Sequence, residues 1–158
     1  RPRLIFERYL MEIKNRLSDD LKDALRANDE VRKTSIRSVM AAIKLVEVEK
    51  GAALDDAGII GVVQREIKQR KESIEDAEKA ERPEMIAGFQ KEITELEKYL
   101  PKQLTTDELN ELVKAAIEQT GAANPADMGK VMKVVIPQVQ GRAANDQVSA
   151  AVKALLLK

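Results

Sequence analysis

The chain has no cysteine, no histidine and no tryptophan, and only two phenylalanines and two tyrosines in 158 residues. Each absence removes a class of function. Without Cys there is no disulfide and no thiolate nucleophile, which fits a reducing, cytoplasmic setting. Without His, the commonest proton carrier and the commonest metal ligand are missing together. Zinc centres and Ser-His or Cys-His nucleophile systems are therefore excluded, leaving carboxylates, Lys, Tyr and hydroxyls for any chemistry. Acidic residues are plentiful, but no acidic cluster stands clear of basic neighbours, so neither a metal nor another cofactor is expected. Aromatics at 3% are poor material for a sandwich or barrel and ordinary for helices packed on Leu, Ile, Val and Met. No apolar run approaches the roughly 20 residues that a membrane helix requires.

Charge of one sign is also lacking. Lys plus Arg is 27 and Asp plus Glu is 27, a net charge of zero. A neutral chain has no global field to attract a nucleic acid, so any such binding must come from a local patch. What remains is a globular composition, 44% hydrophobic and 34% charged, long enough for one compact domain or two small ones.

Apolar residues recur at three and four throughout, with no strand alternation, which predicts an all-α fold. Ile13, Leu17, Leu21 and Leu25 form a first stripe. Ile36, Val39, Met40, Ile43 and Val46 form a second, stopping at Gly51. Ile60, Val63, Ile67 and Ile74 make a third after Asp55-Asp56, and Pro83 opens a fourth with Ile86, Phe89, Ile93, Leu96 and Leu100. Between residues 68 and 84 the apolar content thins. Lys68–Glu72, Lys71–Glu75 and Glu75–Lys79 are four apart there, which predicts a solvated, charge-laced helical hairpin arm. Arg65, Lys68, Arg70 and Lys71 on that arm are the candidate residues for docking a protein partner. The opening ten residues precede Met11 and read as an upstream or appended segment, although Phe6 and Leu10 keep helical spacing with Ile13.

Pro101 breaks the pattern, because the residue before a proline is driven from helical geometry. A boundary is expected there, between an N-terminal helical domain at 11–100 and a C-terminal three-helix domain at 101–158, joined by a partly helical linker. Thr105 with Glu108 predicts a capping box, and Gly121 a helix end. Asn124, Pro125 and Asp127 predict the start of the next helix, and Gly141 its end. At about 100° per residue, Met128, Val131, Met132, Val135, Ile136 and Val139 share one face of it. Lys130, Lys133, Pro137 and Gln140 fall opposite, with Gly129 at the border. A glycine inside a helix costs about 1 kcal/mol relative to Ala. Close packing of a neighbouring helix is the simpler reason for it, and a phosphate approaching the helix start is the sharper one. From Pro125 to Lys158 five basic residues (Lys130, Lys133, Arg142, Lys153, Lys158) face two acidic ones (Asp127, Asp146), a local charge of +3. The tail holds no aromatic to stack bases, so contacts to RNA would be to shape and phosphate.

The segments "YLPKQLTTDEL", "ADMGKVMKVVIPQVQGRA" and "NDQVSAAVKALL", with "REIKQRKESIEDAEKAER" before them, resemble the YqeY family from about Met11 to the end. The tail is similar to the C-terminal domain of GatB, the B subunit of the tRNA-dependent amidotransferase. The resemblance implies two helical domains and tRNA as a ligand, with Gly129, Lys130, Lys133, Gly141 and Arg142 as the positions that would touch it. It also implies kinship with carbon-nitrogen ligases that use glutamine as amide donor, and amidotransferase or other translation proteins as partners. The chain has no counterpart of the GatB catalytic cradle, and its serines show no arrangement with lysine that would activate a nucleophile. A non-catalytic tRNA-handling module is the expectation, and a protein–protein adaptor acting through the charged arm is the alternative. About three phosphate contacts would give a log–log salt slope near −2 to −3.

Overall fold

The computed structural model describes residues 12–158, and every regular element among them is helical. The expected start at Met11 and the helical continuation through Phe6 and Leu10 lie outside the described residues. The chain separates into two compact units, one ending at Leu100 and the other spanning Pro101–Lys158.

The first unit holds α1 (Ile13–Arg26), α2 (Glu30–Lys50), α3 (Asp56–Lys79) and α4 (Pro83–Glu97). Asp29 and Asp55 cap α2 and α3 by accepting the Arg32 and Gly58 amides at 3.2 and 2.8 Å. Leu17, Ile36, Val39, Ile59, Val63 and Leu96 are fully buried in the shared core, and each contributes about 1.5–3 kcal/mol. The first stripe needs one correction. Leu25 is 49% exposed, and Ala24 takes the buried place. Steps of four overshoot a turn by about 40°, so by Leu25 the stripe has rotated off the core, whereas Ala24 lies back beneath Ile13.

α3 and α4 form the arm. Beyond Ile67, Ala77 is the only buried side chain of α3, and Ile86 and Phe89 of α4 are half-buried. The ion pairs expected along the outside are not the ones that form among the described residues. Instead Arg70 turns inward, its guanidinium 3.0 Å from Glu66 and 3.5 Å from Glu92, and the Ser38 hydroxyl donates to Glu66 at 3.2 Å. Exposed pairs repay little of the entropy of holding two long side chains, while a shielded position strengthens the attraction.

Polar ties close this unit at both ends. Ile13 donates its amide to Asp56 at 3.0 Å, and Lys14 pairs with Glu47 at 2.6 Å. Lys14 foremost, then the Leu54 amide, holds the Glu47 carboxyl below the usual range. At the other end Tyr99 donates its hydroxyl to Asp20 beneath the Arg16 guanidinium, 5.3 Å from the ring centre. Burial, then Asp20, pushes the phenol up, so it stays protonated.

The second unit holds α5 (Thr106–Thr120), a 3₁₀ turn (Pro125–Asp127), α6 (Met128–Val139) and α7 (Asn145–Leu156) around Val113, Val131, Val135, Val148 and Val152. Thr105 accepts the Glu108 amide at 3.1 Å. Asn124 caps the 3₁₀ turn, accepting the Ala126 amide at 3.0 Å, and the turn runs directly into α6. The helix so starts three residues later than the sequence suggests, with a tighter turn ahead of it.

Candidate nucleic-acid interface

α6 is positioned by its apolar face. Val131, Val135 and Val139 are buried, Met128, Met132 and Ile136 are half-buried, and Lys130, Lys133, Pro137 and Gln140 are exposed. Each side chain lies on the side its spacing requires. Pro137 lacks the amide that would bond the Lys133 carbonyl. The break falls on the exposed face of the helix.

Gly129 is the second residue of α6 and is exposed, and a Cβ built there would meet nothing within 4 Å. Close helix packing, the simpler explanation, is therefore not its reason. Nor does its backbone require glycine, since only Gly51, Gly121 and Gly141 have positive φ among the described glycines. Lys130 reaches Asp127 only at 4.0 Å and keeps 71% of its side chain exposed. Lys133 is exposed, and no carboxylate among the described residues pairs with it. Asp127 has its own task, since its carboxylate accepts the Ala123 amide at 3.0 Å. That bond, then Lys130, lowers its pKa against an opposing desolvation. Gly129, Lys130 and Lys133 thus form a cationic ridge with little side chain at its head.

Gly141 and Arg142 belong to a different construction. Gln140 and Gly141 both adopt left-handed backbone, at φ 50° and 79°. The Arg142 guanidinium folds back to donate to the carbonyls of Val139 and Gln138 at 3.0 and 2.8 Å. It closes the end of α6, where the last carbonyls lack helical partners and carry partial negative charge. The Leu104 amide donates to the Arg142 carbonyl at 2.8 Å, and the Gln103 side chain to Gly141 at 3.2 Å. "PKQL" and "GRA" are thus stitched together. Nothing in the sequence marks Gln103 as a partner of Gly141, because they are 38 residues apart.

Charge in this unit is sorted by element. Asp107, Glu108, Glu111 and Glu118 are exposed on α5 against Lys114 alone, while α6 carries Lys130 and Lys133 and no acid. Of the arm candidates, Arg65, Lys68 and Lys71 are exposed, whereas Arg70 is only 11% exposed in its ion pairs. Among the described residues no group of acidic side chains could hold a metal, and no helix is long and apolar enough to cross a membrane.

Fold and surface together define an all-helical protein of two units, the second with a basic helix face set against an acidic one. The chain belongs to the YqeY-like family, whose model matches residues 14–156. Relatives include the protein named altered inheritance of mitochondria protein 41, mitochondrial. That of Saccharomyces cerevisiae is 36% identical over 95 residues, covering 60% of this chain and 51% of the relative. That of Lachancea thermotolerans is 37% identical over 93 residues, covering 58% and 49%. That of Pyrenophora tritici-repentis is 28% identical over 134 residues, covering 84% and 74%. The chain thus spans about half the length of the first two relatives.

Proposed function

We propose that this protein is a non-catalytic module that binds folded tRNA through the ridge Gly129, Lys130 and Lys133. The observation that carries this reading is the ridge itself. It has two exposed cations, one loosely paired and one unpaired among the described residues, beside a glycine whose open side no described residue fills. A phosphate backbone supplies the missing neighbour. It can come close to the helix where the side chain is absent, and the lysines supply charge without base specificity. Arg142 contributes by closing the helix, and Gly141 by allowing the turn that brings it round. The ridge then makes about two phosphate contacts, a log–log salt slope near −2 from this unit.

Competition decides between shape and charge. Folded tRNA should displace a labelled tRNA at lower concentration than an unstructured RNA of equal length. Equal displacement would remove the shape-reading part of the proposal. The mitochondrial names of the relatives favour the mitochondrial matrix over the cytoplasm that was expected, and a tRNA-handling module could work in either.

The adaptor reading, expected through the charged arm, is favoured by one observation that lies outside the arm: Leu45 and Val48, one turn apart on α2, are 61% and 71% exposed. Leu45→Glu with Val48→Glu should then abolish recovery of a protein partner while leaving tRNA affinity unchanged.

A further inference from the structure

The outward face of α3 carries Arg65, Lys68 and Lys71, all exposed. Among the described residues none of the three forms an ion pair, although Glu72 and Glu75 stand four residues beyond Lys68 and Lys71. Arg70 is turned inward and takes Glu66 and Glu92 for itself. The core residues Ile59, Val62, Val63, Glu66 and Ile67 hold the opposite side of the helix. At about 100° and 1.5 Å per residue, the three free cations lie within roughly 120° of arc and about 9 Å of axis. Gly61 heads this face one turn before Arg65, and a Cβ there would also meet nothing within 4 Å.

We propose that this strip is a second phosphate-contact surface for folded RNA, carried by the first unit independently of α6. The proposal rests on the reading of the chain as an RNA binder, and adds a site to it. The chemistry of the strip selects the ligand. None of the exposed large apolar side chains among the described residues, Leu25, Leu45, Val48, Met85 and Leu157, belongs to α3. Protein interfaces are anchored on buried apolar and aromatic groups and are depleted in Lys, so a purely cationic, polar strip lacks what a protein partner needs. A duplex presents one phosphate charge per roughly 1.7 Å of axis, so about 9 Å of strip faces several. Glu72, Glu75 and Asp76 follow the strip towards the arm's turn, which confines the contact to the middle of α3, residues 65–71. Two weak surfaces joined in one chain raise each other's effective concentration, which compensates for the small number of contacts on each.

The test measures affinity of the full chain for purified tRNA across several salt concentrations in three proteins: the unaltered chain, Arg65→Gln/Lys68→Gln/Lys71→Gln, and Lys130→Gln/Lys133→Gln. All substituted side chains are exposed, and a circular dichroism melt checks that the fold is kept. The unaltered chain should show a slope of about −4 to −5, and the α3 variant one shallower by about 2 to 3, with affinity at least about tenfold lower near 0.15 M salt. An α3 variant that keeps the affinity and slope of the unaltered chain overturns the proposal, even if the α6 variant is impaired. Loss in the α3 variant without loss in the α6 variant supports the strip and removes the α6 reading. Unchanged binding in both variants removes both.

Discussion

At Gly129 the backbone is already right-handed and an added Cβ meets open space, so Gly129→Ala should stabilise the second unit by about 0.5–1 kcal/mol. The same change should weaken tRNA binding by holding the phosphate away. Opposite signs in a thermal melt and a binding titration separate this from a packing role, which would lower both. Gly141→Ala acts in the other direction, because φ of 79° strains any residue with a Cβ, and about 1 kcal/mol of stability should be lost. Arg142→Ala removes two hydrogen bonds from a cation to the last carbonyls of α6. It should cost about 1–2 kcal/mol, read as a lower melting temperature. The charges of Lys130, Lys133 and Arg142 were legible in the sequence, but their division of labour was not. Whether an arginine points out to solvent or back to its own helix depends on the left-handed turn at Gln140 and Gly141, which is set by the tie to Gln103 and Leu104.

Among the helices, period and caps carried most of the reading. The four stripes of the first unit, the Thr105 cap and the two faces of α6 follow directly from spacing. Two details escaped it. Steps of four favour Leu25 over Ala24, but the stripe rotates by about 40° per step, which leaves Leu25 exposed and Ala24 buried. Spacing predicts a ladder of outward pairs along the arm, whereas the ion pairs among its described residues join Arg70 to Glu66 within α3 and to Glu92 on α4. Which partner an arginine takes across two helices is a tertiary fact that sequence separation hides. Arg70→Ala would strand two carboxylates that are only 11% and 19% exposed, so a loss of about 3 kcal/mol is expected in denaturant unfolding. Glu47 offers a pH test of the tie between α1 and α2. Its carboxyl is held below the ordinary range when folded, so its contribution is present above the unfolded value and disappears as pH falls through the folded one. The melting-temperature difference between the unaltered chain and Glu47→Gln should therefore be largest near neutral pH and shrink in acid. A difference that stays constant down to pH 3 would mean that Glu47 acts through shape alone.

For the molecule as a whole, neutrality is the result of sorting. Twenty-seven positive and twenty-seven negative residues cancel over the chain, yet α5 is acidic, α6 is basic, and the middle of α3 presents cations that are unpaired among the described residues. Net charge is blind to such an arrangement, so composition alone does not reveal these local cationic surfaces. Membership of the YqeY-like family rests on residues 14–156, and the RNA reading rests on where the free cations stand. The most direct test of that reading is equilibrium binding of purified tRNA to Lys130→Glu/Lys133→Glu beside the unaltered chain, at two salt concentrations. The expected result is at least about a tenfold loss of affinity and a log–log slope shallower by about 2, with an unchanged melting temperature. Equal affinities and equal slopes in the two proteins would contradict it.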